Sequence, residues 1–286
     1  MSNSGRKSAL GYVGSLFARQ PAKPGESYGA PGSGNSMFIS VVTTVSLLFA
    51  WWLVTYLHLI KPVFLPSPVD VVARFIELSH TEFTGATLWG HTWASLYRVF
   101  GAFFLACITA IPIGIAMGVN RIFRVIFDPP IEFYRPIPPL GYLPLTIIWL
   151  GIEDVQKITL IFLAIFAPMA LNARAGVRSV SIAQIHMAYS VGATRLQVIW
   201  HVIVKGAMPE ILTGMRIGIG FGWTTLVAAE MVAAEAGLGH MVLSAAEFLV
   251  TDVVIMGIIV IGVIAYLFDL LMRFIEKTVV PWKGKV

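Results

Sequence analysis

The chain is 286 residues long, 57% hydrophobic and only 12% charged, about half the charged share of an ordinary soluble domain, with a mean hydropathy of +0.81. That composition excludes a soluble globular protein and points to a chain that lives in lipid. The net charge of +5 does not imply nucleic acid, because the basic residues are spread through the gaps between apolar runs. The single Cys107 excludes an internal disulfide and reads as packing within FFLACITAIPIG.

Residues 1–36 are rich in Gly, Ser and Pro and carry Arg6, Lys7, Arg19 and Lys23, too few apolar groups to offset the entropy of folding, so a disordered cytoplasmic tail is predicted. The patch LGYVGSLFA imitates a signal peptide, but Arg19 ends it, and the longer apolar run from Met37 suits an uncleaved anchor.

A membrane helix needs about 20 mostly apolar residues, and six such runs follow: from Met37, from Leu96, a proline-rich stretch from about Val125 to Leu150, and runs from Ile158, Ile211 and Val253. Residues 37–280 are therefore predicted as one six-span, all-helical domain, with 281–286 as a short C-terminal end. Asp128, Glu132 and Arg135 interrupt the third span, and Arg216 and Glu230 the fifth. Pro136, Pro138, Pro139 and Pro144 also fall in the third. Such breaks are tolerated at membrane depth only where protein or a water-filled cavity takes up the freed backbone groups. Either a pathway-lining helix starts there, or the prolines form an interfacial loop and the span begins near Leu143.

Six spans put both termini on one side, and the basic residues name it. Arg121, Arg124, Arg174, Arg178, Arg195, Lys205, Arg273, Lys277, Lys283 and Lys285 fall together, whereas the opposite loops carry Lys61, Arg74 and Lys157 among many more carboxylates. Both termini are predicted cytoplasmic, and so is the segment between the fourth and fifth spans, about 178–207.

In that segment Ser181-x-x-Gln184 and Thr194-x-x-Gln197 have the form of capping boxes, with Gly192 between them where a left-handed helix end wants it. It reads as helix, Gly turn, helix. Leu196, Ile199, Trp200 and Ile203 recur at helical spacing as an apolar face, and Pro209 is expected to break the chain before the fifth span. The pair either lies on the leaflet as an interfacial unit or forms a docking surface for a cytoplasmic partner. A DNA-reading role is disfavoured, because both ends are tethered to spans and basic groups are few.

On the fifth span Gly214, Gly218 and Gly222 fall at i, i+4 and i+8, small-residue patterns for close helix packing within the subunit or across a dimer, and Gly114 with Gly118 repeats the idea on the second span. Glu230 and Arg135 are costly in lipid, so by default they face a cavity, a partner or each other's helices. Arg216 reads as an interfacial anchor. The six histidines form no HExxH or other metal spacing, no Gly-x-Ser-x-Gly elbow exists, and no Walker lysine is present. Catalytic residues, a metal and a bound cofactor are therefore not expected, and ATP would have to be hydrolysed on another chain.

The Gly-centred helix pair between fourth and fifth spans resembles the EAA loop of ABC importer permeases, which forms a coupling helix fitting a cleft on the ATPase. Set on Gly192, the family pattern puts His186, Met187 and Ala188 at Glu-Ala-Ala, Val202 at Ile and Val204-Lys205 at Leu-Pro, so only Ala188 and Gly192 match strictly. DPPIEFYRPIPPLGYLPLTIIWLGI and GWTTLVAAEMVAA further resemble the nitrate/sulfonate/bicarbonate branch of these permeases, most closely its taurine-import members. The resemblance implies a type I importer architecture in a bacterial inner membrane. It also implies a second permease copy, two ATPase subunits carrying ATP and Mg, and an extracytoplasmic substrate-binding protein. Its coupling loop would use His186, Met187, Ala188, Gly192, Ala193, Thr194 and Arg195. Arg135, Pro136, Trp223, Thr224 and Glu230 are expected along the translocation path, where Arg135 is a sulfonate contact, a structural ion pair or a snorkelling anchor. The rival readings are a permease for another small anion, an ion-coupled transporter titrating Glu230, and a membrane scaffold.

Overall fold

The computed structural model describes residues 36–282; residues 1–35 of the predicted tail and 283–286 of the predicted C-terminal end lie outside them. The described residues are helical apart from turns and an isolated bridge between Phe83 and Ala86.

The chain divides into two units at Pro68. In the first, α1 (Ser36–Tyr56) is a 21-residue apolar helix, long enough to span. Its hydroxyls are satisfied within the helix: Thr43 donates to the Ile39 carbonyl and Thr44 to that of Ser40, at 2.8 and 2.9 Å. The Trp51 indole N–H donates to the Pro66 carbonyl at 3.1 Å, pinning the chain that leaves the helix.

The second unit starts with α2 (Pro68–Leu78), an amphipathic helix with Pro at its first turn and Val71 and Leu78 buried. Then come α3 (Leu88–Val119), α4 (Arg121–Tyr134), α5 (Pro139–Leu150), α6 (Asp154–Ser179), α7 (Ile182–Ser190), α8 (Arg195–Val198), a π turn (Ile199–Ile203), α9 (Val204–Ala233), α10 (Leu238–Glu247) and α11 (Thr251–Val279). Among the described residues five helices are long and apolar enough to cross a membrane: α1, α3, α6, the continuous helix Arg195–Ala233, and α11.

The predicted third span is divided in two. Pro138 and Pro139 hold the residues before them extended, so α4 ends at Tyr134 and the helix restarts at Pro139. Neither piece has the length of a span, yet together they return the chain across the membrane, because α3 and α6 run parallel. Arg98 near the start of α3 meets Asp154 at the start of α6, and Gly118 at the end of α3 abuts Val177 near the end of α6.

Two faces of α6 are covered through glycines. A Cβ at Gly114 would lie 2.3 Å from the Ala170 backbone oxygen, and one at Gly118 would lie 2.4 Å from Val177. From the other side Cβ atoms at Gly214, Gly218 and Gly222 would fall 2.6, 3.0 and 2.7 Å from Asn172 or Ile165. These predicted small-residue stripes are packing surfaces within the subunit, and they bring α3, α6 and α9 close enough for the dispersion contacts that hold helices together in lipid. Ile161, Ile165, Met169, Ala106, Ala110 and Leu226 form the buried centre.

Pro209, expected to break the helix, lies inside α9. Its lost backbone bond costs the helix one turn's closure, but Ala207 and Ile211 on either side are buried against α6, and the wide π turn just upstream absorbs the local distortion.

Candidate functional site

Residues 181–203 fold as helix, turn, helix. α7 ends in a left-handed residue, Gly192 at φ +85°. The Ala193 N–H reaches back to the Ala188 carbonyl at 3.1 Å and the Gly192 N–H to that of Tyr189 at 3.0 Å, the Schellman pattern. A Cβ at Gly192 would meet nothing within 4 Å, so the glycine is required by backbone conformation alone. The Thr194 box is complete, with the Gln197 N–H donating to Thr194 Oγ1 and the Thr194 N–H to Gln197 Oε1 at 2.8 Å. The Ser181 box is not: its hydroxyl caps nothing, and α7 starts on backbone bonds to the Ser181 carbonyl.

The expected apolar face holds for Leu196, Ile199 and Trp200, which line one groove, and fails for Ile203, which the π turn carries into the packing on α6. Side chains five apart replace those three and four apart, so Val198 and Ile203 are buried against Ala173, Val177 and Ile211, while Leu196 and Trp200 stay exposed. No residue of α7 is buried. His186, Met187, Thr194 and Arg195 are exposed and Ala188 and Ala193 half-buried around the turn, a protruding, partly apolar knob shaped for a partner.

At the far end of α9 lies a second centre. Glu230 is fully buried. Its carboxylate accepts from the Ser95 hydroxyl at 2.8 and 2.9 Å, from Arg98 Nη1 at 2.7 Å and from the Gly239 N–H at 2.9 Å. His91, Ser95 and Arg98 stand at i, i+4 and i+7 on α3, one helical stripe, and together they grip the loop after α9. His91 Nδ1 accepts from the Gly237 N–H at 3.0 Å, Ser95 Oγ from the Leu238 N–H at 2.9 Å, and Arg98 donates to the Ala236 carbonyl at 2.6 Å. Because Nδ1 of His91 accepts, its Nε2 carries the proton and donates to the Phe83 carbonyl at 2.8 Å. Arg98 also binds Asp154 at 2.7 Å. Gly237 sits at φ +137°, and a Cβ there would lie 2.4 Å from the Glu230 carboxylate. Next to this cluster on α10, burial holds the His240 imidazole below the usual histidine value.

The residues expected along a path are not gathered together. Arg135 and Pro136 lie exposed in the link between α4 and α5, with Glu132 3.7 Å from the guanidinium. Trp223 is buried with its indole N–H unpaired. Thr224, the next residue, faces outward and donates to the Phe221 carbonyl at 2.9 Å. The partner of Glu230 is Arg98, which sequence reasoning passed over although it is the one base set inside the second apolar run. Arg216 is held by Asp269 and Glu276 of α11, each at 3.5 Å. Arg174 ties α6 to Asp128 and Glu132 of α4.

Residues 110–281 match the family model for the binding-protein-dependent transport system inner membrane component. The chain is 53% identical to the taurine transport system permease protein TauC of Escherichia coli K12, over 87% of this chain and 90% of that one. It is 31% identical to the nitrate import permease protein NrtB of Synechocystis, over 77% and 82%. Its fold matches an inward-facing structure of the MetNI methionine ABC transporter with a TM-score of 0.56 at 18% identity, covering 65% of this chain and 93% of that one. The fold is thus that of a known class, and the chain belongs to the inner-membrane permease components of binding-protein-dependent ABC transporters.

Proposed function

We propose that this chain is the membrane subunit of an ATP-driven importer for taurine or related aliphatic sulfonates, and the observation that carries this is the 53% identity over 87% of its length to a taurine transport permease. The chain supplies no nucleotide site; ATP and Mg are held by two ATPase subunits that grip the knob around Gly192. Closure of the ATPase pair moves the knob, two permease copies rock apart on the outside, and an extracytoplasmic binding protein delivers the substrate. Both termini lie in the cytoplasm of a bacterial cell, as the arginine-rich side of the spans supports. Arg135 and Thr224, being exposed, are the pathway candidates that a substrate or a second copy reaches directly.

A permease for another small anion is the second reading, favoured by the 31% identity to a nitrate import permease. An ion-coupled carrier titrating Glu230 is disfavoured, because that carboxylate is fixed by Arg98, Ser95 and the Gly239 N–H. The test is uptake of labelled taurine at low external concentration in cells with and without the gene. Gene-dependent uptake that stops on ATP depletion and withstands competition by nitrate, bicarbonate and alkanesulfonates supports taurine. Unchanged taurine uptake with loss of another anion moves the substrate, and uptake collapsed by uncouplers at constant ATP overturns the ABC mechanism.

A further inference from the structure

Where α3 ends and the helix leading into α9 begins, the protein leaves an open groove of about 570 Å³, within the size range of small-molecule sites. Its walls are Ile115 and Val119 of α3, Phe123 of α4, and Leu196 and Trp200, with Arg195 at the rim. The α3 wall is the last two turns of a span-length helix, so the groove opens at the end of a span, where an acyl chain of the leaflet reaches its apolar walls.

Arg195 is the one charged residue in the lining. Among the described residues Arg74, Arg98, Arg135, Arg174, Arg216 and Arg273 each have a carboxylate partner. Arg195 makes no ion pair and is exposed, and the same holds for Arg121. Arg124 donates only to the Met117 and Gly118 carbonyls at the end of α3, at 3.2 and 3.4 Å. No Asp or Glu lines the groove. Asn120 joins the lining, its side-chain oxygen already accepting from the Ile122 N–H at 2.8 Å, so its amide N–H groups are what it has left to offer a ligand. An apolar trough at the end of a span, an indole and the Arg195 guanidinium at the rim complement an anionic phospholipid along its whole length.

We propose that the groove holds one anionic phospholipid, with an acyl chain along α3 and its phosphate at Arg195 and the Asn120 amide. The lipid thereby joins the turn between α3 and α4 to the base of the helix that carries the Gly192 knob. The proposal does not depend on which substrate is carried, and its binding is read without transport.

The test uses the full chain, alone and with its ATPase, in phosphatidylcholine vesicles. Bromine-labelled phosphatidylglycerol or bromine-labelled phosphatidylcholine is titrated in, and the readout is the part of the tryptophan fluorescence that Trp200→Phe removes. The labelled phosphatidylglycerol is expected to quench that part at about one fifth the mole fraction needed for the labelled phosphatidylcholine, the preference one basic residue confers. Arg195→Gln is expected to bring the two lipids to nearly equal midpoints. Equal midpoints in the wild-type chain, or a preference that Arg195→Gln leaves unchanged, overturn the proposal. So does a Trp200 signal that lipid reaches only when the ATPase is absent, which assigns the groove to that protein. If Arg195→Gln fails to assemble, the wild-type contrast decides alone.

Discussion

The buried pair of Glu230 and Arg98 shows what a charge inside a membrane protein requires. Each is fixed by the other at 2.7 Å, and Ser95, Gly239, Ala236 and Asp154 take up further lone pairs and N–H groups, the additional hydrogen bonds that offset the desolvation of such a pair. Arg98→Met leaves Glu230 buried and uncompensated, so the purified permease is expected to lose about 3–5 kcal/mol in reversible unfolding. Arg98→Met combined with Glu230→Leu is expected to recover most of that loss. A single Arg98→Met variant as stable as the parent would show that the ion pair does not hold the loop. Gly237→Ala tests the same loop through sterics, since its Cβ would meet the carboxylate at 2.4 Å; a melting temperature unchanged from the parent counts against the cluster as drawn. The need of Glu230 for a partner was legible in the sequence from the cost of a carboxylate in lipid. Its partner was not, because nothing in local spacing links residues 132 positions apart.

At the scale of elements, the Gly192 knob carries the sharpest expectation. A non-glycine residue in the left-handed region costs roughly 1–2 kcal/mol, more if β-branched, and Asn is tolerated there better than most. Gly192→Val is therefore expected to abolish ATP-driven uptake at an unchanged membrane level of the chain, and Gly192→Asn to keep much of it; full uptake by the Val variant refutes the coupling role. Glycines that mediate close approach behave differently. Gly114→Ala drives a Cβ against a backbone oxygen and is expected to cost about 1–3 kcal/mol. Gly262→Ala in α11 meets nothing within 4 Å and is expected to be neutral or up to about 1 kcal/mol stabilising by helix propensity. Comparable unfolding midpoints for the two variants would refute the stripe on α6. The turn, the Thr194 box and the glycine stripes were legible because each is a local rule of spacing. Of the expected apolar face Leu196, Ile199 and Trp200 share one groove, whereas Ile203 is buried with Val198 five residues before it, since periodicity assumes 3.6 residues per turn and the π turn adds a residue. Pro209 marks a break by propensity alone, and propensity says nothing of the packing of Ala207 and Ile211 on α6 that overrides it.

For the whole molecule the decisive question is parity. Five span-length helices would leave the two ends on opposite sides of the membrane, whereas six crossings bring them together. The parallel run of α3 and α6, tied by Arg98 to Asp154 at one end and by Gly118 on Val177 at the other, obliges α4 and α5 to return the chain between them despite their shortness. From there α9 runs back along α6, with Gly214 against Asn172 and Gly222 against Ile165, and α11 crosses once more. The same order puts Arg121, Arg124, Arg178 and Arg195 at one level and Arg98, Asp154 and Glu230 at the other. It also makes the 39-residue helix Arg195–Ala233 a rod on the order of 60 Å between the knob and the ion cluster. With α1 as the first crossing, reporters fused after Val286 and ahead of Met1 are expected to report the same compartment, the cytoplasm. One placed between Gly151 and Glu153 is expected outside. Opposite compartments for the two terminal reporters would make the α4 and α5 pair a re-entrant hairpin, and the parallel packing of α3 with α6 would then be wrong as well.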